Sequence, residues 1–151
     1  MRFNILLLLA GVAMLLAGCA TGKYDNAEYG TQPLSKTQLG TRYLLGRGVK
    51  QNDEKAFTYF SQAADEDDAF AQNEVAYMYA AGKGIAKDEG KAFEYYQKAA
   101  QHGLASAEYN LGLLYLHGIG TVQNKTLGMQ WVQKAALRGF EPAKITLQQN
   151  S

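Results

Sequence analysis

"VAYMYAAGKGIAKDEGKAFEYYQKAAQHGLASA", residues 75–107, decides the fold, because the chain repeats it at a fixed distance on both sides. A shift of 36 residues lays it without a gap on "LGTRYLLGRGVKQNDEKAFTYFSQAADEDDAFA" (39–71) and on "LGLLYLHGIGTVQNKTLGMQWVQKAALRGFEPA" (111–143). Tyr43, Tyr79 and Tyr115 coincide, as do the glycine sets Gly46/Gly82/Gly118 and Gly48/Gly84/Gly120. The pairs Ala63-Ala64, Ala99-Ala100 and Ala135-Ala136 also fall in register. Self-similarity at such a period marks an array of stacked supersecondary units.

The same stretch carries a false lead. Gly84 followed by Gly90-Lys91 looks like a phosphate-cradling loop. That loop needs four residues between its glycines and a hydroxyl after the lysine to hold magnesium. Here five residues intervene, and Ala92 stands at the hydroxyl position. Gly84 recurs in every unit while Gly90-Lys91 becomes Glu54-Lys55 and Thr126-Leu127. Gly84 therefore reads as a turn glycine, and no nucleotide partner is expected.

Each unit reads as two helices. Ala71, Val75 and Tyr79 recur at i, i+4 and i+8, the spacing of one helical face. Two glycines then end this first helix, since glycine reaches positive φ without a steric cost. Asn52, Asp88 and Asn124 stand where the second helix begins, and their side-chain oxygens suit the unpaired N–H groups of a first turn. Ser35, with Gln38 three residues on, has the form of a capping box. The aromatics Phe57/Phe93 and Tyr59/Tyr95/Trp131 are expected to pack between helices, and the small row Gly40/Ala76/Gly112 to let the paired helices approach. Two positions depart from the pattern. Asp67 replaces Gly103 and Gly139 at the end of a second helix, and Gly128 replaces Ala56 and Ala92 inside one, at a propensity cost of ~1 kcal/mol. That cost predicts the third unit to be the softest.

The motif Leu-Gly-x2-Tyr-x2-Gly-x-Gly, then Lys-Ala, aromatics, Lys-Ala-Ala-x2-Gly and a later Ala, is similar to the Sel-1-like repeat family, relatives of tetratricopeptide repeats. The resemblance implies an all-α fold, an α/α solenoid of three 36-residue helix-turn-helix repeats that binds other proteins and is not a catalyst. The repeats are expected at 35–70, 71–106 and 107–142, with a short C-terminal capping helix over 143–149 whose Ile145 and Leu147 cover the open end.

Ahead of the array, "MRFN" and the apolar run "ILLLLAGVAMLL" (5–16) have the form of a secretory leader, too short for a spanning helix of about 20 residues. Leu16-Ala17-Gly18-Cys19 resembles the lipobox of bacterial lipoproteins. The resemblance implies a signal peptide over 1–18, cleavage before Cys19 and lipidation of that residue, the single cysteine of the chain. Ala20 in the next position implies an outer-membrane lipoprotein facing the periplasm. Residues 19–34 are then the lipidated cysteine and a tether. Removing Arg2 with the leader brings basic and acidic side chains into balance, which leaves no basic stripe for nucleic acid.

Catalytic signals are weak. None of the four serines has a lysine three residues on, as a β-lactamase-like hydrolase requires. His102 and His117 lack the spacing of a zinc site, His102 reads as a charge partner at a helix end, and "DEDD" (65–68) lacks the glycine and spacing of a calcium loop. No catalytic residue, metal or cofactor is assigned. The first helices offer more: the rows Thr37/Asn73/Tyr109, Thr41/Tyr77/Leu113 and Leu45/Ala81/His117 lie opposite the buried face. They predict a concave protein-binding groove lined by Leu45, Asn73, Tyr77, Tyr109, Leu113 and His117. The expected function is a lipid-anchored adaptor that binds a segment of another envelope or periplasmic protein. The alternative is an immunity or inhibitor protein against a periplasmic toxin or wall enzyme.

Overall fold

The computed structural model describes residues 33–149, which form seven α-helices and no strand. They are α1 Lys36–Leu45, α2 Asp53–Ala64, α3 Ala69–Ala81, α4 Glu89–Gln101, α5 Ala105–His117, α6 Lys125–Leu137 and α7 Glu141–Gln149. Each helix packs on its neighbours in the chain, so the pairs α1/α2, α3/α4 and α5/α6 stack in order with α7 at the end. This is the expected all-α solenoid.

The helix boundaries follow from the capping residues. Ser35 and Gln38 form the reciprocal capping box on α1. Asn52, Asp88 and Asn124 accept from the backbone N–H groups of Lys55, Lys91 and Leu127 at 2.8, 2.9 and 3.0 Å. Asp68 caps α3 by accepting from Ala71 N–H, and Thr37 donates its hydroxyl to the other Asp68 oxygen at 2.6 Å. Its counterpart at α5, Leu104, makes no side-chain cap. The first helices begin at 69 and 105, slightly ahead of the expected repeat frame.

Gly84 is a turn glycine for two reasons. Its φ is +71°, and a Cβ placed on it would stand 2.3 Å from the Asp53 carbonyl oxygen. Gly120 meets Glu89 in the same way, at 2.0 Å. The turn of each later repeat thus rests, backbone on backbone, on the start of the second helix before it. Among the described residues nothing stands within 4 Å of the same point on Gly48. Asp67 does adopt the left-handed conformation of Gly103 and Gly139, with φ 62°.

Three apolar clusters run along the array. Leu44, Phe60, Val75 and Met78 centre the first; Tyr96, Leu111 and Leu114 the second; Val132, Leu113 and Ala143 the third. The aromatics pack as the sequence implies. Phe57 meets Tyr79 edge-on at 5.3 Å and Phe93 meets Tyr115 at 5.2 Å, each joining a second helix to the next first helix. Tyr43–Tyr59 and Tyr79–Tyr95 stack within repeats. Lysines lie over several of these rings, Lys134 4.5 Å from the Trp131 centroid, a contact worth about 0.5–1 kcal/mol at an exposed site.

Gly128 carries more than a propensity cost. A Cβ on it would come within 2.7 Å of Leu116 Cγ and 2.8 Å of the Gly112 carbonyl oxygen, while one on Gly112 would meet Val132 and Gly128. The two glycines let α5 and α6 touch through their backbones. Weighing propensity alone, as the sequence reading does, omits this contact. At the C-terminus, α7 starts at Glu141 with Pro142 in its first turn; Ala143 is buried and Leu147 packs on the third cluster. Ile145 does not join them. It is 50% exposed, on the side of α7 turned away from that core.

Candidate protein-binding face

The six groove residues of the sequence reading divide into two sets. Leu45 and His117, the last residues of α1 and α5, are exposed. Tyr77 is half-buried and touches both the first and second clusters. Asn73, Tyr109 and Leu113 are buried. Tyr109 lies with its ring 5.4 Å from Phe140, and its hydroxyl pairs with Thr146 of α7 at 3.2 Å. Leu113 joins Val132, Ala135 and Ala143 in the third cluster. The expectation that all six line an open groove is corrected here. Phe140 and α7 cover this part of α5, so the aromatic and aliphatic residues there are consumed by packing. Cys19 lies outside the described residues.

Asn73 goes to a polar seam. Its side-chain N–H donates to Glu74 Oε1 at 3.2 Å, and its oxygen accepts from Asn110 of α5 at 3.5 Å. Glu74 and Asn110 are buried with it, and Tyr96 of α4 is wholly buried. Burial pushes the Glu74 carboxyl up to about 7, against smaller lowering effects from the Asn73 hydrogen bond and the Lys83 charge. Tyr96 is raised as well, by burial first and by the Glu74 charge second. The sequence did offer a signal: Glu74 and Asn110 share one register position, polar in both repeats, on helices that are otherwise apolar nearly all round.

What remains open is a narrower strip. Phe70, Tyr77 and Ala81 stand at i, i+7 and i+11 on α3, a single helical face. Phe70 is 39% exposed and Ala81 exposed. Thr37, Thr41 and Leu45 hold the corresponding line on α1, with the two threonines half-exposed. Phe70 was missed because its register partners, Leu34 and Ser106, share no chemistry with it. Among the described residues no three His, Cys, Asp or Glu side chains come together as a metal site, and no helix is long and apolar enough to cross a membrane.

This geometry of paired helices with a shared inner edge is matched by sequence as well. The Sel1 repeat model fits residues 33–68, 69–104 and 105–140 in succession. The chain belongs to the Sel1 repeat family. Among solved structures, a Sel1 repeat protein from Oxalobacter formigenes is 41% identical with a TM-score of 0.69, over 76% of this chain and 86% of that one. A protective antigen present in uropathogenic Escherichia coli strains, displaying an SLR fold, is 30% identical with a TM-score of 0.68 over 69% of this chain. The match spans only 22% of that longer protein. Helicobacter pylori cysteine rich protein B is 26% identical with a TM-score of 0.63, over 72% of this chain and 86% of its own. No curated protein gives a significant match. Sel1 repeat proteins generally mediate protein–protein interaction, and their scaffolds are typically non-catalytic.

Proposed function

We propose that this Sel1 chain is a lipid-anchored adaptor of the cell envelope, held at the periplasmic face of the outer membrane through Cys19. Its partner is a segment of another envelope protein, taken along the first-helix edge by Phe70, Tyr77 and Ala81, flanked by Leu45 and His117. The observation that carries the reading is the exposure of Phe70. Phe70 meets Phe60 of α2 with ring centroids 6.4 Å apart, like the other rings, yet keeps 39% of its surface open on the face it shares with Tyr77. An aromatic strip with a polar rim is the composition of a protein-binding hot spot. The leader and the lipobox-like Leu16-Ala17-Gly18-Cys19 support the anchor.

A photo-crosslinking side chain at position 70, introduced in the intact envelope, should give one discrete adduct that disappears when Tyr77→Arg is added. The same group at Thr58, exposed on α2, should give none. Equal adducts at both sites would remove the strip from consideration. Cys19→Ser should abolish incorporation of labelled palmitate; continued labelling would defeat the anchor while leaving the strip untouched.

A further inference from the structure

The seam between the second and third repeats holds a set of polar atoms whose requirements do not balance. Glu74 Oε2, Asn110 Oδ1 and the Tyr96 hydroxyl are buried and have no hydrogen-bond partner. Two of these three are pure acceptors when Glu74 is ionised, and neither receives a hydrogen bond. Asn73 donates to Glu74 Oε1, and Asn110 donates to Asn73. A buried acceptor without a donor is costly, and a buried carboxylate more so. One proton changes the count. On Glu74 it removes the buried charge and converts an orphan acceptor into a donor.

We infer that this seam is a proton-operated joint: Glu74 closes it as a carboxylic acid and loosens it as a carboxylate. Glu74 belongs to α3 and is linked through Asn73 to Asn110 of α5, so the acid sits on the hydrogen-bonded chain that joins the first helices of two repeats. Tyr77, in contact with the cores on both sides of the joint, is the groove residue placed to feel its state. The joint nevertheless stands independently of any partner.

The surroundings set the sign. The charged group of opposite sign acting on Glu74 is Lys83, in the turn after α3, and Lys83 is itself 3.6 Å from Asp53 at the start of α2. From α4 the titratable neighbour is Tyr96; from α5 the neutral Asn110 approaches through Asn73. Glu108, two residues before Asn110, is held instead by Lys134 of α6 and by Arg138 just past its end. No full ion pair compensates Glu74, so desolvation dominates and its folded-state carboxyl lies near 7, above the ordinary 4.5. The folded chain therefore binds this proton more tightly than the unfolded chain. The contribution is complete below the ordinary value and is lost as pH rises through the folded value, by up to about tenfold in the folding constant per pH unit.

Urea unfolding of the full chain between pH 5 and pH 8.5 tests the joint, with Glu74→Gln as the comparator. The wild-type folding constant should fall by at least tenfold across the range and level off above pH 7.5. Glu74→Gln, a permanent mimic of the acid, should remove most of that dependence. An equal slope in both proteins would overturn the inference. Carbon-13 NMR of the glutamate carboxyls needs no variant: one glutamate should titrate near neutrality, and titration of every glutamate below pH 5.5 would equally overturn it.

Discussion

The first and third repeats make the same contact with the charges exchanged. In the first, Lys36 at the start of α1 pairs with Glu66 just past α2, both well exposed. In the third, the equivalent position of Lys36 is Glu108, and that of Glu66 is Arg138. Glu108 is fully buried. Arg138 Nε lies 3.0 Å from both its oxygens, hydrogen-bonding Oε1, and Lys134 Nζ approaches at 3.1 Å. The middle repeat has Gln72 and His102 there, and Gln72 turns to the Ala64 carbonyl instead. Burial decides what the contact is worth. An exposed pair contributes about 0–1 kcal/mol, whereas a buried charge deprived of its partners costs several.

The contrast is broken most forcefully by removing both cations of the third repeat. Lys134→Ala with Arg138→Ala leaves the buried Glu108 carboxyl without its cations, and should cost roughly 3–5 kcal/mol in chemical unfolding. A loss under about 1 kcal/mol would mean that Glu108 is hydrated in solution and that the two repeats do not differ.

A second pair of substitutions compares an interior turn with the outer one. Gly84→Ala adds both a left-handed strain of roughly 1–2 kcal/mol and a collision with the Asp53 backbone. Gly48→Ala adds the strain alone. The first should lower the thermal midpoint distinctly more than the second; equal shifts would show that the repeats do not rest on each other there.

Gly128→Ala sharpens the comparison of the third repeat with its neighbours, which carry alanine at this place. Helix propensity favours the change by ~1 kcal/mol, yet the new methyl meets Leu116 and the Gly112 carbonyl, and overpacking of this kind costs about 1–3 kcal/mol. A net loss is expected, measured by urea midpoint. A gain would mean that α5 and α6 separate freely and that the propensity argument is sufficient. The smallest effect belongs to Lys36→Ala, which should stay within about 0.5 kcal/mol of the wild type.

These sites show where sequence reasoning succeeds. The period, the caps at Asn52, Asp88 and Asn124, and the paired turn glycines are local chemistry copied three times, so each copy checks the others. The binding face has no such check. Helices α3 and α5 are apolar on almost every side, because each touches the helix before it, its own partner and the next first helix. A pattern of apolar residues then cannot separate an interhelical face from an open one. Tyr109 and Leu113 illustrate this: whether they are exposed depends on α7, a nine-residue helix that follows the third repeat. Phe70 was hidden for the opposite reason, since no aromatic recurs at its position, whereas Glu74 shares a polar position with Gln38 and Asn110.

Among the described residues nothing covers Gly48, which has a consequence for how such a chain changes length. Its φ of +71° matches that of Gly84, so the first turn is made to the same pattern as turns that receive a neighbour. A further 36-residue unit inserted ahead of Ser35 would find its backbone seat already formed, and tandem duplication would need no new turn. The side chains are less permissive. Arg42 stands where Met78 and Leu114 are buried in the later repeats, and an added unit would have to cover its charge. The array is extensible in its backbone and closed in its chemistry, so growth on this side requires one duplication and at least one substitution, at Arg42.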